Sequence, residues 1–181
     1  MLKTNTPTDA SPLRRVIAFS IDWGLIAAYV LTLFGIATAW SGGVPSPSLP
    51  YNALQHELLG FIVLTLPVVT YFAASEYRSG QTLGKYIMRI RVTTQQGKQL
   101  SLRQAIGRNV LKFIPWEMAH FCVHHFVAAN LENREPGAIT IIVLIMTYVL
   151  VALYLGTLFW SGNHRPIYDR LVDLKVIRLR N

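Results

Sequence analysis

Apolar residues gather along this chain into long runs instead of alternating with polar ones. Residues 16–40 (VIAFSIDWGLIAAYVLTLFGIATAW) are interrupted by one ionisable side chain, Asp22. Residues 58–75 and 138–160 repeat the pattern, the former with Pro67 as an expected kink. A bilayer core of about 30 Å is crossed by about 20 helical residues, so each run predicts a membrane-spanning helix. The first run follows Lys3, Arg14 and Arg15 as a signal peptide would, but it is longer than the usual h-region and lacks a small-x-small exit. It reads as a retained helix.

Charge makes three crossings awkward. Residues 76–112 carry eight Lys and Arg, residues 165–180 carry five, and 41–55 carry none. Basic loops stay cytoplasmic, so a further crossing between the two basic stretches is required, and 113–131 (FIPWEMAHFCVHHFVAANL) is the segment available. The expectation is an all-α membrane protein: a four-helix transmembrane bundle with spans at about 14–40, 56–76, 113–131 and 138–160. Both termini and a cap of 77–112 and 161–181 would be cytoplasmic, in a multi-pass protein of a bacterial inner membrane. The competing reading lays 113–131 in the interface and leaves the basic tail outside.

The cap has its own pattern. Met88-Arg89-Ile90-Arg91-Val92 alternates as a half-buried strand does, and Gln96-Gly97-Lys98 reads as a turn. Ser101-x-x-Gln104 has capping-box spacing. Leu102, Ile106, Val110 and Phe113 then form a stripe opposite Gln104, Arg108 and Lys112, predicting a small interfacial amphipathic helix leading into the third span. Thr82–Val92 aligns weakly with Pro166–Val176, each copy following a pair of spans. This implies two halves, strand 88–92 pairing with 174–179 on the cytoplasmic side, and facing charges Lys85 with Asp169 and Arg89 with Asp173.

Composition narrows the class. Charged residues make up 14% of the chain, against about 25% in soluble domains, so the net charge of +8 bears on membrane topology and anionic headgroups, not on nucleic acid. Lys85, Arg89, Arg91, Arg108 and Lys112 are the expected lipid-facing basic residues. The single cysteine, Cys122, excludes an intrachain disulfide framework and reads as a packing residue. No nucleophile elbow, phosphate loop or cofactor fingerprint is present, which predicts neither an enzyme nor a cofactor.

Three motifs occur in order around the spans. Arg15-Val-Ile-Ala-Phe-Ser-Ile-Asp22 comes first, then Gly80-Gln-Thr-Leu-Gly-Lys85 with Ile90-Arg-Val92 and Gly97, then Arg165-Pro-Ile-Tyr-Asp169-Arg-Leu171. Together they resemble the RDD family of small membrane proteins, named for one arginine and two aspartates, here Arg15, Asp22 and Asp169. The chain departs from the family pattern at Tyr168, where His is frequent, at Arg89, and at Val172-Asp173-Leu174. Pro115-Trp-Glu-Met-Ala-His120 is similar to a signature of part of the family. The resemblance implies a membrane fold and, for activity, only the cation or proton antiport proposed for some members.

Ionisable residues within spans are costly and are functional candidates by default. Asp22 lies two turns beyond Arg15 on one face, either as an anchor hydrogen-bonded by a neighbouring helix or as a carboxylate exchanging protons and cations. Arg15 would snorkel to headgroups or pair with Asp169, and Glu76 would meet Arg78 or Lys85. Glu117, His120 and His124 fall on one helical face. With Asp22 they form a candidate proton or cation relay, and by themselves a weak candidate metal site. His125 falls off that face. Trp23, Trp40, Trp116 and Trp160 read as belt anchors, and Pro115 as the start or a bend of the third span. Function is thereby open between translocation, in a chain small enough to work as a homo-oligomer, and a non-transporting scaffold whose polar residues lock the helices.

Overall fold

A computed structural model describes residues 8–44 and 51–179; the loop expected across 42–50 lies outside it from residue 45. The apolar runs are helices. α1 spans Pro12–Ser41. The second run is a continuous helix of α2 (Ala53–Gly60), a π-helical turn (Phe61–Thr65) and α3 (Leu66–Ser79), so Pro67 stands within a helix. After α4 (Leu83–Ile87) and strand β1 (Ile90–Thr94) come α5 (Leu102–Leu131) and α6 (Ala138–Trp160). The described chain closes with α7 (Ile167–Leu171) and β2 (Leu174–Arg178).

Three of these helices, Pro12–Ser41, Ala53–Ser79 and Ala138–Trp160, are long and apolar enough to cross a bilayer, and only 17%, 22% and 11% of their most apolar stretches are buried within the protein. Side chains such as Ile139, Ile142, Ile145 and Val149 are more than half exposed. So much open apolar surface on single helices needs an apolar solvent. α5 falls outside this set. Its 30 residues reach about 45 Å, but Glu117 and the histidines lower its hydropathy.

The chain divides into two compact units. The first contains residues up to Gly24, Val69–Lys112, and those from Ala152 onward; the second contains Leu25–Val68 and Phe113–Val151. In the first unit, β1 pairs antiparallel with β2, Val92 standing opposite Val176. Two strands alone are marginal, and their edges are covered. Thr8–Ala10 bonds β2 through Ala10 N to Val176 O at 2.8 Å and Arg178 N to Thr8 O at 2.9 Å. On the other side, Val92 N donates to Gly80 O at 2.8 Å. Ile90, Val92, Leu174 and Val176 pack on Ala10, Ala18, Leu100 and Ala105, so alanines let α1 and α5 approach the sheet closely.

The weak sequence repeat is a structural one. α4 and α7 occupy matching places in the aligned segments, as do the starts of β1 and β2. Matching residues take left-handed backbone: Arg89 (φ 52°) with Asp173 (φ 54°), and Gly80 (φ 70°) with His164 (φ 48°). Even a side-chain bond recurs, Gln81 Nε2 to Ile90 O and Arg165 Nε to Leu174 O, both 2.9 Å. Each copy follows a 30-residue helix and a second long helix. The expected charge pairs across the copies are a correction. Antiparallel pairing places only Val92 against its own equivalent, so Lys85 and Asp169 find other partners, and Asp173 lies near Arg165, at 3.6 Å.

The amphipathic helix is corrected too. It is not separate but the first turns of α5, capped by Ser101 and Gln104 as expected (Gln104 N to Ser101 Oγ 3.3 Å; Ser101 N to Gln104 Oε1 3.1 Å). Leu102, Ile106 and Val110 of the expected stripe are exposed, as a lipid-facing stripe would be, but Phe113 is buried, and on the polar side Arg108 is buried beside Asn109 instead of facing outward. Pro115 sits inside α5 and does not start it.

Candidate functional site

In the first unit, five charged side chains from five elements form an alternating buried chain. Lys85 Nζ of α4 donates to Glu76 Oε1 of α3 at 2.8 Å, and Arg108 Nη1 of α5 donates to the same oxygen at 2.6 Å. Arg108 Nε reaches Asp169 Oδ1 of α7 at 2.7 Å, and Arg15 of α1 pairs with the other oxygen of Asp169. Asn109 Nδ2 fills Glu76 Oε2 at 2.8 Å, and Arg15 Nη1 donates to His164 O at 2.6 Å. Glu76 and Asp169 are fully buried. An isolated buried charge would be prohibitive, and here each carboxylate is neutralised twice.

Asp22 is anchored separately in the same unit. Thr82 Oγ1 donates to Asp22 Oδ2 at 2.5 Å and Gly84 N to Oδ1 at 2.8 Å, with Tyr71 Oη at 3.5 Å. Thr82 also N-caps α4. A fully buried carboxylate holding donors on both oxygens fixes α1 against α4. Gly84 permits this approach, because a Cβ there would collide with the Ala18 carbonyl.

The five residues expected to face lipid divide. Arg89 and Arg91 are exposed. Lys85 and Arg108 are corrected: both are buried because Glu76 and Asp169 draw them inward. Lys112 places its ammonium over the rings of Phe19 and Phe72, 4.3 and 4.0 Å from their centroids.

The second unit holds a looser polar chain. Trp116 Nε1 donates to Thr65 Oγ1 at 3.2 Å, and that hydroxyl donates to Glu117 Oε1. His120 Nδ1 lies 3.4 Å from the same carboxylate oxygen. One turn on, His124 Nδ1 meets the Tyr51 hydroxyl at 2.8 Å. The π-helical turn is bracketed by residues that meet this chain: Thr65 ends it, and Gly60 precedes it beside the His124 ring. Among the described residues no three His, Cys, Asp or Glu side chains converge to hold a metal ion. Glu117 is engaged by Thr65 and His120, and His124 turns to Tyr51. Cys122 is buried, its Sγ 3.6 Å from Thr140 O.

Asp22 finds its partners in the first unit, and Glu117, His120 and His124 find theirs in the second. Sequence reasoning missed Arg108 and Asn109 as buried partners, and Thr65, Tyr51 and His56 altogether. Glu76 was expected to meet Arg78 or Lys85, and Lys85 is one of its partners.

The arginine and the two aspartates of the three motifs thus each anchor the cap, and the model of the RDD family matches residues 10–173. The chain belongs to the RDD family. No curated protein and no solved structure matches it. In this RDD protein Arg15 and Asp169 join α1 to α7, while Asp22 joins α1 to α4.

Burial alone would raise the Asp169 carboxyl, but the Arg108 and Arg15 guanidinium groups hold it below its ordinary value. Arg108 is pushed upward in turn: burial opposes its charge and the Asp169 and Glu76 carboxylates outweigh that. A carboxylate depressed in the folded state contributes stability that is complete above its unfolded pKa and is lost as pH falls through its folded one. Thermal melts in detergent should therefore show the cap weakening on the acid side of the ordinary carboxylate range. Asp169→Asn should be less stable at neutral pH and respond less to acid; an unchanged acid response would remove Asp169 from the account.

Proposed function

We propose that this RDD protein is a four-span membrane protein that passes protons or monovalent cations along the polar face of α5, through Glu117, His120 and His124. The observation carrying this is the chain Thr65, Glu117, His120, then His124 and Tyr51, in which exchangeable protons sit on side chains one helical turn apart. Intramembrane carboxylates and histidines in series are what proton relays are made of. Asp22, saturated by Thr82 and Gly84, is better suited to anchoring than to carrying.

The internal repeat supports the fourth crossing. Its two halves share one architecture, so α5 corresponds to α1. If α6 returns the chain to the basic cap, α5 has carried it out. Both halves then have the same orientation, as parallel repeats do.

The test is purified protein in liposomes under an imposed pH gradient. Wild type should dissipate the gradient, and Glu117→Gln and His120→Ala should slow this roughly tenfold or more. Asp22→Asn should instead reduce the yield of folded protein. A silent wild type would end the transport reading and leave the scaffold. The scaffold reading is favoured by the saturated cap network and by exposed Arg89 and Arg91, which suit anionic headgroups. On it, the same variants lose assembly and no flux is ever seen.

A further inference from the structure

The relay continues beyond α5 into a residue that no motif contains. Tyr51 is only 9% exposed, and its hydroxyl lies against His124 Nδ1 at 2.8 Å. Its ring stacks on His56 with centroids 4.2 Å apart. His56 is exposed and its Nδ1 lies 3.0 Å from Asn52 O. A carbonyl can only accept, so Nδ1 carries the hydrogen and Nε2 is the basic nitrogen. Asn52 also caps α2 through Gln55 N at 3.1 Å, which fixes the backbone beside Tyr51. In front of these residues lies an open recess of about 590 Å³, lined by Tyr51, Asn52, Gln55, His125, Glu132 and Arg134.

We propose that Tyr51 is the port of the relay, passing protons between water in this recess and His124, with the His56 ring stacked beside it. The inference rests on the translocation reading and adds its entry point. In the step, a hydrated proton in the recess gives a proton to Tyr51 Oη while Tyr51 gives its own hydroxyl proton to His124 Nδ1. One O–H bond forms and one breaks at the phenol, one N–H bond forms at the imidazole, and water is left in the recess. The His124 imidazolium then gives its Nε2 proton toward His120 and Glu117, and rotation of the Tyr51 hydroxyl with a flip of the His124 ring, which returns a bare nitrogen to that hydroxyl, resets the port. The charges facing His124 are His120 and Glu117 of its own helix, His56 of α2 and neighbouring His125; the Glu132–Arg134 ion pair lies at the recess.

The test uses full-length protein in liposomes with a trapped pH indicator. Tyr51→Phe keeps the ring that stacks on His56 and removes the one exchangeable proton. Proton flux should fall roughly tenfold or more, while Tyr148→Phe, an exposed tyrosine on α6, should leave it unchanged. Fluorotyrosine at position 51, which preserves shape and acidifies the phenol, should move the pH profile of flux to lower pH, and it serves where Tyr51→Phe does not fold. Wild-type flux in Tyr51→Phe, or an unmoved profile with fluorotyrosine, overturns the port and leaves the translocation reading standing. A silent wild type overturns both.

Discussion

Replacing Arg108 with alanine should leave almost no folded protein. Arg108 bridges Glu76 and Asp169 through two nitrogens, and both carboxylates are fully buried. Its loss would leave Asp169 with Arg15 and Glu76 with Lys85 and Asn109, each short of a charged partner in a place closed to water. Breaking a buried ion pair in this way costs about 3–5 kcal/mol, a large part of the roughly 5–15 kcal/mol that holds a typical domain folded. Lys85 and Arg15 still balance the two carboxylates in number, so the deficit is the lost bridge and its two charged donors. Arg108→Met combined with Glu76→Gln and Asp169→Asn should not recover it, because Lys85 and Arg15 would then be buried with no carboxylate to pair with. Arg91→Ala, on an exposed strand position, should change stability by less than about 0.5 kcal/mol. Thermal unfolding in detergent, with size exclusion for assembly, reads all three. An Arg108→Ala protein as stable as wild type would show that the network is incidental.

Gly84→Val should be almost as damaging, for a steric reason. A side chain at Gly84 meets the carbonyl of Ala18 and stands 3.1 Å from the Asp22 carboxyl carbon. Backbone is on both sides of that contact, so α1 and α4 must separate, and the 2.8 Å bond from Gly84 N to Asp22 goes with them. Overpacking costs about 1–3 kcal/mol, and a lost buried bond to a charged group about 1.5–3 kcal/mol. A net loss of about 3 kcal/mol or more is expected. Gly24→Ala, two residues beyond Asp22 on the same helix, meets nothing within 4 Å and should be neutral. The same melts decide it, and equal stability of the two variants would contradict the close approach.

The long helices were legible because a bilayer imposes a length and a composition that 16–40, 58–75 and 138–160 satisfy by themselves. The pairing and the repeat were legible too, since alternation at 88–92 and the match of Thr82–Val92 to Pro166–Val176 are local patterns, but the strand itself runs Ile90–Thr94, because Arg89 takes left-handed backbone and ends the preceding turn. What the sequence concealed was direction. Arg108 and Lys85 read as exposed because charges usually face water, yet the buried carboxylates of Glu76 and Asp169 draw them inward, while Leu102, Ile106 and Val110 of α5 stay exposed. The site was partly visible. Glu117, His120 and His124 announce themselves by spacing, whereas Tyr51 and Thr65 reach them only through the packing of another helix, and Tyr51 lies outside any periodic segment. Glu76 lay in plain view, but its threefold engagement needed α4 and α5 to be in place.

The central claim is that α5 carries its glutamate and histidines across the bilayer, and cysteine accessibility tests it most directly. With Cys122→Ala as the background, single cysteines are placed at three exposed sites: Gln96→Cys in the turn after β1, Glu135→Cys between α5 and α6, and Asn163→Cys after α6. Sealed vesicles of known orientation are then treated with a membrane-impermeant maleimide. The account predicts that the first and third label together from the cytoplasmic side and the second only from the opposite side. Labelling of Glu135→Cys from the same side as Gln96→Cys would mean that α5 does not cross, and the relay would lose its path.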